Sequence, residues 1–218
     1  MPRWGNMGDD SSGECGVPTS PRFQMPRSTN SNGVFWYSYD FATVHTTVIS
    51  GEHDLSRGSP QHAWIVQDLE AVNRTLTPWV VVEVHRPFYD GEMYWSDNAV
   101  GIGMRMQVEN LLREYQVDIV FAGHYHSYFR TCDGLFRSKC NNGGPIHITV
   151  GTAGASLDLA PAYKASWYKK LITRTFGYGR VTVMNNTALH FEFVKAGPQD
   201  DPESGKVLDH VWIKRDRP

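Results

Sequence analysis

Val117-Asp118-Ile119-Val120-Phe121-Ala122-Gly123-His124-Tyr125-His126 reads as a buried strand ending in a sharp turn that carries two imidazoles. Five of its first six residues are apolar, with two Val and one Ile among them, the pattern of a strand covered on both faces. Gly123 lets the backbone turn at the strand end, and His124 and His126 emerge beyond it. Imidazole is the commonest metal-binding side chain, and two on one turn can reach the same ion or two adjacent ones. A second run repeats the design. Trp79-Val80-Val81-Val82-Glu83-Val84 delivers His85, followed at once by Arg86-Pro87. Two parallel strands that each end in histidine imply a metal site on one rim of a sheet.

Around these two strands the periodicity changes. Val34 to Tyr39 and Thr43 to Ile49 read as a hairpin turning at Asp40-Phe41-Ala42. Ser59-Pro60 starts a helix, with serine as N-cap and proline in the first turn, and Ile65, Leu69 and Val72 form its apolar stripe. Pro87 to Gly103 is expected to be loop. Met104, Val108, Leu111, Leu112 and Tyr115 then give a second amphipathic helix. Ile146 to Val150 is a third strand, opening into Gly151-Thr152-Ala153-Gly154, a rim loop without the helix and lysine of a phosphate cradle. Gly179 to Met184, Ala188 to Val194 and Val207 to Lys214 close the chain as antiparallel strands. Residues 1–32, rich in Gly, Pro, Ser and Asn, read as a loop-rich segment.

The 218 residues are enough for one domain with a substantial core. Seven Trp and ten Tyr favour a compact fold over disorder. The net charge of −2, with no basic run to neutralise phosphates, argues against a nucleic-acid partner. No apolar run reaches the length of a membrane span and no charged-then-apolar leader opens the chain, so neither a span nor a signal peptide is read here. Cys132 and Cys140 bracket a short turn-rich loop suited to a local disulfide, which leaves Cys15 over. Asn73-Arg74-Thr75 and Asn185-Asn186-Thr187 are glycosylation sequons, which matter only in a secretory compartment.

Val82-x-x-His85 and Gly123-His124-x-His126 resemble the last two of the five blocks that define metallophosphoesterases. Glu14-Cys-Gly-Val-Pro18, Arg22-Phe-Gln-Met-Pro26, Trp36-Tyr-Ser-Tyr-Asp40, Gly51-Glu-His-Asp54, His85-Arg-Pro87 and Val207-Leu-Asp-His-Val-Trp212 resemble the purple acid phosphatase branch in content and order. The resemblance spans essentially the whole chain. It implies an αββα sandwich of the metallophosphoesterase type, incomplete at the N-terminus. Residues 33–176 would be the C-terminal part of the catalytic domain, and 177–218 a β segment packed on it. It further implies a phosphomonoester hydrolase with a binuclear centre of iron plus zinc, manganese or a second iron. The full-length protein would be secreted or lysosome/vacuole-like and possibly homo-oligomeric, with no membrane partner.

By that pattern His85 and His124 would bind the divalent metal and His126 the ferric iron; the competing reading makes them polar rim residues. The family's first three blocks, which supply oxygen ligands and the tyrosinate, find no match in Met1 to Gly13, so the chain looks truncated. Gly51-Glu52-His53-Asp54 differs by one letter from the third block, but that letter is the metal-binding amide, and the segment reads as a rim loop. Tyr125 is expected to point away from the histidines beside it. Tyr94 is a candidate phosphate contact, against a reading as a rim aromatic covering the core. His147 alternates with apolar residues and reads as a satisfied buried histidine, while His45, His62 and His190 read as structural or exposed.

The enzyme reading has a rival of another class: a non-catalytic module that keeps the fold and binds at most one metal. A third reading, a mononuclear tris-histidine hydrolase, suffers from the absence of a carboxylate base in the motifs.

Overall fold

The computed structural model describes residues 19–26, 28–92, 95–158 and 164–216. In chain order the elements are β1 Tyr37–Phe41, β2 Val44–Ile49, α1 Pro60–Glu70, β3 Trp79–Val84, α2 Trp95–Glu114, β4 Ile119–Ala122, β5 Tyr128–Thr131, β6 Ile146–Val150, β7 Tyr168–Ile172, β8 Gly177–Val183, β9 Ala188–Lys195 and β10 Val207–Lys214. The first seven strands form one sheet, ordered β1-β2-β3-β4-β6-β5-β7, and the last three another, ordered β10-β9-β8. At the centre β2, β3, β4 and β6 run parallel. Antiparallel partners flank them: β1 on one side, β5 and β7 on the other.

β3 shows why the layers form. Its side chains alternate between faces, so Val80, Val82 and Val84 point one way and Trp79 and Val81 the other. The first set packs with Trp64, Ile65 and Leu69 of α1 and with Met104, Val108 and Leu112 of α2. The second packs with Leu189, Phe191, Phe193 and Ile213 of the small sheet. Helices therefore cover one face and three strands the other, which is three of the four layers of an αββα sandwich. Both crossovers, β2–α1–β3 and β3–α2–β4, advance in the same direction along the sheet, which places both helices on one side.

Local chemistry fixes the ends. Ser59 Oγ accepts from His62 N (3.2 Å) as the N-cap of α1. Gln61, 1% exposed, both accepts from Ser50 N (2.7 Å) and donates to Ser50 O (2.9 Å), which pins the end of β2 to the helix. The cysteines of the 132–140 loop are bridged, with Cα atoms 5.8 Å apart, as their spacing suggested. Cys15 and Tyr94 lie outside the described residues.

Three expectations need correction. α2 begins at Trp95, inside the stretch read as loop. β5 and β7 went unread. His147 is buried but not satisfied, since neither ring nitrogen has a hydrogen-bond partner among the described residues. Its ring sits against Tyr89 (4.9 Å) and Phe88 (6.1 Å), and burial lowers its pKa to about 3.

Candidate functional site

The parallel register sets the site. Val84 of β3 pairs with Ala122 of β4, so His85 and Gly123, one residue further on, share a rim. Gly123 N donates to His85 O at 3.0 Å, which ties the two strand ends together. His124 then takes φ +63, a left-handed conformation that costs a non-glycine residue but that histidine adopts more readily than most. The next crossing needs a glycine. A Cβ on Gly151, just past β6, would stand 1.8 Å from Tyr125 O, so only a bare backbone can pass beneath the histidine turn.

This geometry brings His85 Nε2 and His124 Nδ1 to 3.2 Å, with the rings nearly perpendicular. Burial, then the neighbouring His124 and Arg86, lowers the His85 pKa, which favours the neutral ring with its lone pair free. His126 behaves differently. Its Nδ1 meets Ser156 O at 2.6 Å and its backbone N donates to Asp158 Oδ2 at 2.7 Å, so that imidazole is engaged by the loop after β6. Tyr125 is buried, 4% exposed, between its two histidine neighbours.

Arg86 crowns the pair. It donates to Glu52 Oε1 through Nε (2.6 Å) and to Asp97 Oδ1 through a terminal nitrogen (2.7 Å), and that same nitrogen lies 3.2 Å from His124 Nε2. Asp97 Oδ1 is itself 3.3 Å from His124 Nε2. The Gly51–Asp54 segment otherwise turns away from the rim. His53 Nδ1 pairs with Ser50 Oγ (2.8 Å) and its ring packs on Phe35, while Asp54 accepts from Ser56 N (2.8 Å). Beside the histidines lies a groove of about 610 Å³ lined by Val48, Glu52, Glu83, His85, Phe121 and Gly123. Burial raises the Glu83 carboxyl above its ordinary pKa.

Sequence reasoning named the histidines but missed Arg86, Asp97 and Glu83 as neighbours. Arg86 was visible beside His85; Asp97 was hidden in the misread start of α2, and Glu83 in a run taken as pure strand.

The calcineurin-like phosphoesterase family profile matches residues 14–128, which include both histidine motifs, and the iron/zinc purple acid phosphatase-like protein C profile matches residues 144–210. The chain belongs to the calcineurin-like phosphoesterase family. Its relatives include purple acid phosphatases, the branch its motif order implied. Purple acid phosphatase 22 of Arabidopsis thaliana is 34% identical over 195 residues, covering 88% of this chain and 43% of its own length. Probable inactive purple acid phosphatase 27 of the same plant is 33% identical over 224 residues, covering 96% and 35%. The solved purple acid phosphatase from yellow lupin (Lupinus luteus) seeds superposes with a TM-score of 0.82 at 30% identity, over 95% of this chain and 37% of that one. The chain thus spans about two-fifths of the length of these relatives.

Members of this family act on phosphate esters with two metal ions, which clamp the phosphate and lower the pKa of a bound water. The rim described here does not fit such a centre. Two ions about 3.5–4 Å apart need bridging oxygen ligands, but the carboxylates beside the His85–His124 pair, Glu52 and Asp97, are both held by Arg86, and Asp158 accepts from the backbone of His126. Among the described residues no group of three or more His, Cys, Asp or Glu side chains is placed to hold one ion. A single ion does fit between the paired nitrogens. Two ligands at metal–nitrogen distances of about 2.0–2.1 Å on a tetrahedral ion lie about 3.3–3.4 Å apart, close to the observed 3.2 Å.

Proposed function

We propose that this chain carries one part of a phosphoesterase metal site, with His85, His124 and His126 as its ligand-type residues. By itself the 218-residue chain holds at most one divalent cation at that rim and does not turn over a phosphomonoester. The observation that carries this reading is the His85 Nε2–His124 Nδ1 pair, spaced for one ion and capped by a guanidinium that occupies both nearby carboxylates. Within a longer polypeptide that supplies oxygen ligands, the rim serves acid phosphatase chemistry with iron plus zinc, manganese or a second iron. In this reading residues 33–176 belong to the catalytic domain and 177–218 pack on it as the β segment.

An oxidising, secretory or vacuole-like compartment goes with this function. It is supported by the Cys132–Cys140 bridge and by sequons at the exposed Asn73 and Asn185. No helix among the described residues is long and apolar enough to cross a membrane.

The test is equilibrium dialysis against zinc and manganese, with metal analysis, beside hydrolysis of an aryl phosphate at mildly acidic pH. The expected result is that His124→Ala removes no more than one ion per chain and that wild type and variant share background turnover. Loss of two ions, together with loss of a real rate, would overturn the proposal.

A further inference from the structure

A second pair of histidines stands outside this rim, on the outer face of the small sheet. Register sets His190 of β9 opposite Thr182 of β8 and Trp212 of β10, and sets Glu192 opposite Arg180 and His210. Paired residues share a face, and so do residues two apart along a strand. These six side chains therefore stand on one surface, while Leu189 and Phe191, on the opposite face of β9, are buried in the core.

On that surface His190 Nε2 lies 3.3 Å from His210 Nδ1, with the rings at 73°. A separation of 3.3 Å is within hydrogen-bonding reach of one ring N–H, and equally within reach of one shared cation. It matches the edge of a tetrahedron around an ion with metal–nitrogen distances of about 2.0–2.1 Å. The neighbours set the orientation of the pair. Glu192 Oε2, which accepts from Arg180 Nε at 2.8 Å, lies 4.0 Å from the other nitrogen of His190, Nδ1, so it is Nε2 that faces His210. Trp212 stacks on the His190 ring at 4.3 Å and 16°, which fixes its orientation before anything binds.

We infer that His190 and His210 form a binding site for one divalent transition-metal ion, such as zinc, nickel or copper, with water completing the coordination. Two neutral imidazoles select these ions over magnesium or calcium, which take oxygen ligands. The ion joins β9 to β10, one of the two outer strands of its sheet, and so stabilises the folded C-terminal sheet by mass action. The site does not depend on the rim histidines or on any phosphatase activity.

The experiment uses the full chain carrying His85→Ala and His124→Ala, so that the rim cannot answer. Zinc is titrated by calorimetry, and the fluorescence of Trp212, 46% exposed, is followed alongside. One ion per chain and a change in tryptophan emission are expected. Adding His210→Ala should weaken binding at least tenfold and abolish the emission change, and His190→Gln should do the same. Both positions face outward, so a folded variant is checked by an unchanged circular dichroism spectrum. Absence of zinc binding in the rim-deleted chain would overturn the inference, as would equal binding with and without His210.

Discussion

Two histidine pairs in this molecule have nearly equal nitrogen separations, 3.2 Å at the rim and 3.3 Å on the outer sheet, yet they are built in opposite ways. The rim pair comes from the ends of parallel neighbours and is held by backbone: the Gly123–His85 hydrogen bond and the left-handed His124. The outer pair comes from mid-strand positions of antiparallel neighbours and is held by side chains, chiefly the stack on Trp212. Their charged neighbours also differ. At the rim a guanidinium and a carboxylate both lie within 3.3 Å of His124 Nε2, whereas on the outer sheet the carboxylate of Glu192 lies 4.0 Å from His190 and Arg180 touches that carboxylate rather than the imidazole. Equal donor spacing therefore does not mean equal affinity, because the surroundings of an imidazole decide which cation it accepts.

The same rule governs protons inside the fold, where the largest effect is expected. His45 lies between Asp40 (2.6 Å) and Asp68 (3.1 Å); burial alone would lower its pKa, but hydrogen bonds to these two carboxylates raise it on balance. His147, among Phe88 and Tyr89, falls to about 3. Below the ordinary imidazole value of about 6.5, the unfolded chain takes up a proton that folded His147 refuses, so stability falls as pH falls. At pH 5 that loss is about 2 kcal/mol. His45 has the opposite sign: its contribution is complete below about 6.5 and is lost as pH rises through its raised value. Denaturant unfolding at pH 5, 6.5 and 8 should show His147→Leu flattening the acid limb and His45→Gln the alkaline one. If both limbs survive the substitutions, neighbours do not control these imidazoles.

At the rim, Arg86→Met should tighten zinc binding about tenfold, because it removes a cation beside the ligand and frees two carboxylates. Calorimetry on a chain carrying His190→Ala and His210→Ala isolates that site, and unchanged affinity would break the contrast drawn above. The mirror substitution, Arg180→Met, should change zinc affinity at the outer pair by less than about threefold, since exposed ion pairs contribute little. A tenfold change there would erase the distinction between the two surroundings.

How legible all this was depended on range. β3 and β4 are nearly continuous apolar runs, and the rim histidines beyond them could be named from the sequence alone. β5 and β7 could not: Tyr128–Thr131 is four residues long and follows the histidine turn at once, and Tyr168–Ile172 carries two lysines. The start of α2 was obscured by Gly101 and Gly103, which disfavour helix. Gly101 has a packing reason invisible in sequence, since a Cβ there would stand 2.6 Å from Pro87 O. The Arg86 contacts span 34 residues to Glu52 and 11 to Asp97, beyond any local pattern. His190 and His210 lie 20 residues apart, and their pairing depended on a register that the sequence did not reveal.

X-ray absorption at the zinc edge, on the full chain with His190→Ala and His210→Ala, tests most directly whether the rim is a one-ion site. The predicted spectrum is a single ion in a shell of two imidazole nitrogens and light oxygen scatterers. Metal–metal scattering at about 3.5–4 Å, lost on His124→Ala, would contradict it.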